Sequence, residues 1–284
     1  MRRALPSPIT SSGSIICRPG RISQSCGRSG ITRPPARPVG MDTPRILHNH
    51  QFSLSDTTVR ILDHVWSADA EYERMAETAW RVKLQNAEQD AQPLWDGTYY
   101  RVSNTSDIIG PMGVPKLELG TIQYRYISTF RRLHEEHERR RLEPLHHLST
   151  AALIRTNDAH YVFGRRTRGG AIDLIGGGVQ RDEMEISCGA DIGQNLYKEI
   201  REEVGIQYTD TLRMNGMGVL MSSTSNILVI AHIDLRLSRV EVADRFANRE
   251  EHEMAEPVIV PESDLRSFLH RLTDYRMLIP DLLR

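Results

Sequence analysis

Three consecutive glycines, Gly176 to Gly178, stand a short way upstream of a stretch from about Ile192 to Val204 that ends on Gly205. Within that stretch Leu196, Ile200 and Val204 recur at i, i+4 and i+8, which predicts a helix with one apolar stripe. Such a stripe must be covered by another layer. Gly205 falls where a helix stops in a left-handed residue. The covering layer is supplied by strand-length apolar runs at Thr150 to Arg155, Tyr161 to Arg166, Met217 to Ser222 and Asn226 to Leu235. Helices and strands do not alternate regularly, so the expected class is α+β rather than a parallel βαβ sheet.

The same helix carries Glu199, Glu202 and Glu203 at i, i+3 and i+4, on a different side from the apolar stripe. Like charges at this spacing repel by roughly 0.2 to 0.5 kcal/mol per pair unless a cation sits among them. Three carboxylates on one rigid helix suit Mg2+, which keeps further coordination positions for water and phosphate oxygens. Read alone, the run is a solvated acidic face with Lys198 and Arg201 as surface ion-pair partners; the glycines upstream and Gly205 at its end turn the reading toward a metal site.

Before this region, Val59, Leu62, Val65 and Trp66 recur at helical spacing after a capping Ser55 or Asp56, and a second helix is expected from Glu71 to Leu84. Strands follow at Tyr99 to Ser103 and Leu117 to Tyr124, separated by the Gly110 to Gly113 turn. A charged helix from about Thr129 to Arg141 ends before Pro144. Residues 41–145 thus read as a smaller helical/β N-terminal domain and 146–284 as the main one. Residues 1–40 hold seven Arg, no acid and little periodic apolar content, so they read as a disordered arm, a transit-like segment or an over-extended start before Met41.

The whole chain has a formal net charge of −1, but beyond residue 40 there are 29 basic against 37 acidic residues. An acidic body excludes nucleic acid and anionic membrane as the main partner. No apolar run approaches the roughly 18 residues of a spanning helix. Cys17, Cys26 and Cys188 are too few for a disulfide framework or a zinc site, and His134, His137, His146 and His147 lack helical metal-ligand spacing. The expected location is cytoplasmic, or an organelle if residues 1–40 are imported as a transit segment.

Taken together, Gly177, five residues, Glu183, and then Glu199-Ile200-Arg201-Glu202-Glu203-Val204-Gly205-Ile206 resemble the Nudix hydrolase box, G-x5-E-x7-R-E-U-x-E-E-x-G-U, with U a bulky aliphatic residue. Two features depart from it. Lys198 replaces the box arginine, which keeps the charge but loses the bidentate fork. The spacer from Glu183 to Lys198 is fourteen residues instead of seven, which predicts an inserted loop at Met184 to Gly193. Leu94-Trp-Asp-Gly97, Tyr100-Arg-Val102, Leu117-Glu-Leu-Gly120 and Tyr124-Arg-Tyr126 further resemble the UDP-glucose pyrophosphatase branch, which carries an insertion in its box.

The resemblance implies a Nudix α/β/α sandwich behind a smaller domain, and Mg2+ or Mn2+ as the cofactor. It also implies hydrolysis of a small nucleotide sugar such as UDP-glucose or UDP-galactose to UMP and sugar 1-phosphate. Hydrolysis of ADP-ribose or another nucleoside diphosphate derivative, and non-catalytic nucleotide sensing, are the alternatives. By the same resemblance Glu199, Glu202 and Glu203 are metal ligands, with Glu183 a fourth, and Glu256 ahead of the Val258 to Val260 strand is an extra catalytic carboxylate. Arg165 and Arg166 at a strand end are candidates for holding phosphate, and Gly176, Gly177 and Gly178 for backbone approach to it. Tyr99, Asn104 and Tyr124 are candidates for reading the base.

Overall fold

The computed structural model describes residues 43–89, 94–135 and 144–283. The arm at residues 1–40, the end of the charged helix at Arg141, and His137 lie outside them. In chain order the regular elements begin with β1 (Arg45–His48), β2 (Thr58–Val65), α1 (Ala70–Gln89), β3 (Thr98–Val102), β4 (Lys116–Gln123) and α2 (Tyr124–Glu135). They continue with β5 (Leu148–Arg155), β6 (His160–Arg166), β7 (Ile172–Asp173), α3 (Gly189–Val204), β8 (Thr211–Met221), β9 (Ile227–Leu235), α4 (Arg239–Ala247) and β10 (Met254–Pro261). Two short helices, α5 (Leu265–Leu269) and α6 (Ile279–Leu282), close the described chain.

A seven-stranded sheet has the order β1-β8-β9-β5-β6-β10, with β7 paired to β6. Only β5 and β9 run parallel, in the register Leu148 to Ile227 through Arg155 to Asp234; the other pairs are antiparallel. Alternate residues face opposite layers, as a strand period of two requires. Ala152 and Ile154 of β5 join Ile192, Leu196, Ile200 and Val204 of α3 in one apolar cluster. Ala151 and Leu153 point the other way, toward Leu265 and Leu269 of α5 and Ile279 and Leu282 of α6. The result is a mixed α+β fold with helices on both faces of the sheet.

A second sheet, β2-β4-β3, supplies Tyr100, Val102, Leu117 and Leu119 to the same cluster as α3. A third cluster joins Tyr72 and Ala76 of α1 with Ile127 and Phe130 of α2. None of the helices among the described residues is long and apolar enough to cross a membrane.

Three expectations are corrected. The stretch from Ser55 to Trp66 is not a helix: Thr58–Val65 forms the edge strand β2, parallel to β4. Its β-branched Thr58, Val59, Ile61 and Val65 favour the pleated surface, and only Val59 and Leu62 are even half-buried, so no helical stripe exists to be covered. The charged helix starts five residues early, at Tyr124, because the Asp96 carboxylate accepts from the Arg125 amide at 2.7 Å and closes the β4 to α2 turn. The long spacer is only partly loop. Gly189 to Gly193 extend α3 by a turn, with Asp191 accepting from the Ser187 and Cys188 amides at 2.7 and 2.9 Å.

Candidate active site

The glycine run is held against the sheet. Thr150 N–H donates to Gly177 O at 2.9 Å, Ala152 N–H to Ile175 O at 2.8 Å, and Val179 N–H to Leu148 O at 3.0 Å, so residues 175–179 lie along β5. On the opposite side α3 is tied to the same strand by Asn195 Nδ2 donating to Thr150 Oγ1 at 3.0 Å. Glycine is required here by space. A Cβ on Gly176, whose φ is +147°, would stand 2.2 Å from Thr150 O, and one on Gly177 would stand 2.2 Å from Glu199 Oε2. The backbone therefore lies directly upon the glutamates.

Glu203 is 2% exposed, and its carboxylate accepts from Gly176 N–H at 3.0 Å, with an Arg166 nitrogen 3.9 Å away. Burial pushes its carboxyl up to about 8; Glu199 and Glu253 add to the shift, and Arg166 and the Gly176 amide oppose it. Burial likewise pushes Glu199 up to about 7, with Glu202, Glu251 and Glu183 reinforcing and Lys198 opposing. The Lys198 ammonium donates to Glu183 and stands 3.3 Å from Glu202 and 3.7 Å from Glu199. Although burial works against its charge, these carboxylates raise its proton affinity. Glu183 is thus beside the helix despite the long spacer.

This arrangement answers whether the residues suit a divalent cation. Among the described residues no three acidic or histidine side chains converge closely enough to hold a metal ion. Yet Glu183, Glu199 and Glu202 all face one positive charge, the Lys198 ammonium, and burial holds the Glu199 and Glu203 carboxyls above their ordinary range. Hard oxygen donors grouped around a cationic centre fit Mg2+ or Mn2+ in donor chemistry.

A cavity of about 810 Å3 runs past this cluster. Glu199, Gly176 to Gly178, Arg166 and Glu253 line it. Arg166 contacts Glu253 at 3.0 Å and Asp173 at 3.5 Å, and Asp173 accepts from the buried Tyr275 hydroxyl at 2.5 Å. Tyr99 and Tyr124 also line the cavity, stacked at 5.4 Å between centroids and 29° between planes. Tyr99 sits there because Tyr100 N–H donates to Val179 O at 3.0 Å, extending β3 onto the glycine segment, where a Cβ on Gly178 would meet Tyr99 Cε1 at 2.6 Å.

The solved structures it resembles include Nudix hydrolases. A hydrolase of the NUDIX family from Clostridium perfringens is 12% identical, over 49% of this chain and 95% of its own, with a TM-score of 0.34. The MutT protein from Methanosarcina mazei Go1 is 19% identical, over 50% of this chain and 96% of its own, with a TM-score of 0.33. A bifunctional NMN adenylyltransferase/ADP ribose pyrophosphatase from Francisella tularensis is 14% identical, over 56% of this chain and 45% of its own, with a TM-score of 0.36. No family model and no curated protein matches the sequence.

The residues singled out from the sequence divide in two. Glu199, Gly176, Gly177, Gly178, Arg166, Tyr99 and Tyr124 meet at the cavity, with Glu203 buried behind Gly176. Glu202 and Glu183 turn toward Lys198. Arg165, half-buried, and Glu256, exposed, pair with each other at 2.6 Å and are not part of the cavity wall. Asn104 is spent on its own loop: its amide donates to Asp107 O and Lys116 O at 2.7 and 3.0 Å and accepts from Glu118 N–H at 2.9 Å. The wall also holds residues that sequence reasoning passed over, notably Glu253, Arg131, His147 and Asn226. In the sequence Glu253 shows only as one of the acids Glu250, Glu251, Glu253 and Glu256 ahead of Val258 to Val260.

Proposed function

We propose that the protein is a Nudix hydrolase that cleaves the pyrophosphate bond of a nucleotide sugar, taking UDP-glucose or UDP-galactose to UMP and sugar 1-phosphate. One observation carries this reading: a single cavity is lined both by the glycine segment, which lies upon Glu199, and by a stacked tyrosine pair. A charged diphosphate needs the first feature, and a flat base needs the second.

Glu199, Glu202, Glu203 and Glu183 would hold Mg2+ or Mn2+. When bound, the cation neutralises the pyrophosphate oxygens and acidifies a water. Arg166 takes a phosphate oxygen by charge-assisted hydrogen bonding, while Glu253, on the same wall, receives the proton of the attacking water in the role expected of Glu256. The water oxygen bonds to one phosphorus, the bond from that phosphorus to the bridging oxygen breaks, and the two phosphate products part. The part of the chain before residue 145 supplies Tyr99 and Tyr124 as the flat surface on which the base stacks.

A panel of nucleoside diphosphate sugars and ADP-ribose with Mg2+, with products identified by mass spectrometry, tests the proposal. UMP and sugar 1-phosphate are expected from the uridine compounds at the highest kcat/KM. Faster turnover of ADP-ribose would replace the substrate assignment, and no turnover of any compound would leave only nucleotide binding.

A further inference from the structure

Resting on the uridine reading above, we propose that Asn226, with Arg131 and His147 beside it, reads the imide edge of the uracil base. Seven buried side-chain nitrogen or oxygen atoms have no hydrogen-bond partner among the described residues, and two of them, Asn226 Oδ1 and Gln180 Oε1, belong to residues on the wall of this cavity. Both atoms are closed off from the cavity as they stand, and an acceptor left unpaired in a protein interior costs about 1 to 3 kcal/mol, which a turn of the amide toward a ligand's donor relieves. The terminal torsion of an Asn side chain is soft, and turning it presents the amide to the cavity.

The neighbouring donor is fixed by an unusual contact. Arg131 Nη2 lies 2.9 Å from His147 Nε2. His147 is 2% exposed, and burial, then the Arg131 charge, hold its proton affinity well below the ordinary histidine range. The ring is therefore neutral, Nε2 accepts, and Arg131 is the donor. The backbone keeps the pair beside Asn226, since Ile227 N–H donates to His147 O at 2.9 Å. This wall accordingly offers a cationic donor next to an amide oxygen. Uracil meets it with N3–H to the amide oxygen and a flanking carbonyl to Arg131; cytosine and adenine meet it only through their exocyclic amino groups, and the comparison of UMP with CMP and AMP separates the two modes. Tyr99 and Tyr124 line the same cavity and supply the flat surface for the ring.

The test is calorimetric titration of the full chain with UMP, CMP and AMP, on wild type, Asn226→Leu, Asn226→Asp and Arg131→Met, each checked for folding by circular dichroism. The Asn226 side chain makes no hydrogen bond through Oδ1 that folding would lose. Wild type is expected to prefer UMP. Asn226→Leu should weaken UMP at least tenfold, Asn226→Asp should keep UMP within threefold while weakening CMP further, and Arg131→Met should weaken UMP without touching the UMP to CMP ratio as strongly as Asn226→Asp. An unchanged UMP affinity in Asn226→Leu overturns the assignment of Asn226 while hydrolysis of uridine sugars still stands. Preference of wild type for AMP overturns the uracil assignment together with the uridine reading.

Discussion

Replacing Glu203 by Gln should stabilise the protein in the absence of divalent cations, against the usual outcome for a buried hydrogen-bonded side chain. Its carboxyl is pushed up to about 8 from an ordinary 4.5. Each tenfold difference in proton affinity between folded and unfolded chain is about 1.4 kcal/mol. A raised carboxyl contributes its stability fully below the unfolded value and loses it as pH rises through the folded value. From pH 4.5 to 8 the metal-free protein should therefore lose on the order of 4 kcal/mol from this residue, roughly 3 of them by pH 7. Gln keeps an oxygen for the Gly176 amide, so the variant escapes the loss and gives up only part of the Arg166 attraction. Urea unfolding in EDTA at pH 5, 7 and 8.5 measures this directly. The variant should match wild type at pH 5 and exceed it by about 1 to 3 kcal/mol at pH 7, with Mg2+ reversing the order by stabilising wild type alone. A variant less stable than wild type at every pH would show that burial does not hold the Glu203 carboxyl protonated in the folded chain.

Glu202→Gln should keep its circular dichroism spectrum and melting temperature while losing most turnover in steady-state assays, because it removes one anionic donor and leaves the shape. Gly177→Ala should push the Glu199 carboxylate aside and lower kcat with little change in melting temperature, since the clash is with the end of a flexible side chain. Gly176→Ala, which meets the Thr150 backbone at a positive φ, should cost about 2 kcal/mol or more in denaturant unfolding. Asn104→Ala should cost about 2 to 3 kcal/mol by the same measurement through its three loop hydrogen bonds, and leave the ratio of kcat/KM between uridine and adenosine substrates unchanged.

What could be read from the sequence was what local periodicity and spacing encode. The α3 stripe Leu196, Ile200 and Val204, the Gly205 stop at φ +76°, and the strands that cover the stripe are all in the structure. The β2 strand was misread because Val59, Leu62 and Val65 satisfy a helical spacing by coincidence, and edge strands bury too little to show the alternation that would identify them. At the site, Glu199 and Glu203 could be named from spacing, but their relation to Gly176 and Gly177 depends on the path of residues 175–179 along β5, which involves strand pairing between distant segments. Glu253, Arg131 and Asn226 reach the cavity from β10's approach, α2 and the start of β9. No local pattern links positions so far apart in the chain. Asn104 shows the converse: its polar type suggested recognition, while its neighbours Asp107, Lys116 and Glu118 consume it in a turn.

The proposed reaction is hydrolysis of a nucleotide sugar at phosphorus. Incubation of the protein with UDP-glucose and Mg2+ in 18O-labelled water, followed by mass spectrometry, distinguishes it from nucleotide binding alone. UMP and glucose 1-phosphate are expected in equal amounts, with one 18O atom in one of the two phosphates, and no reaction in EDTA. Intact UDP-glucose after prolonged incubation, with UMP still binding in the cavity, would contradict the proposed hydrolysis.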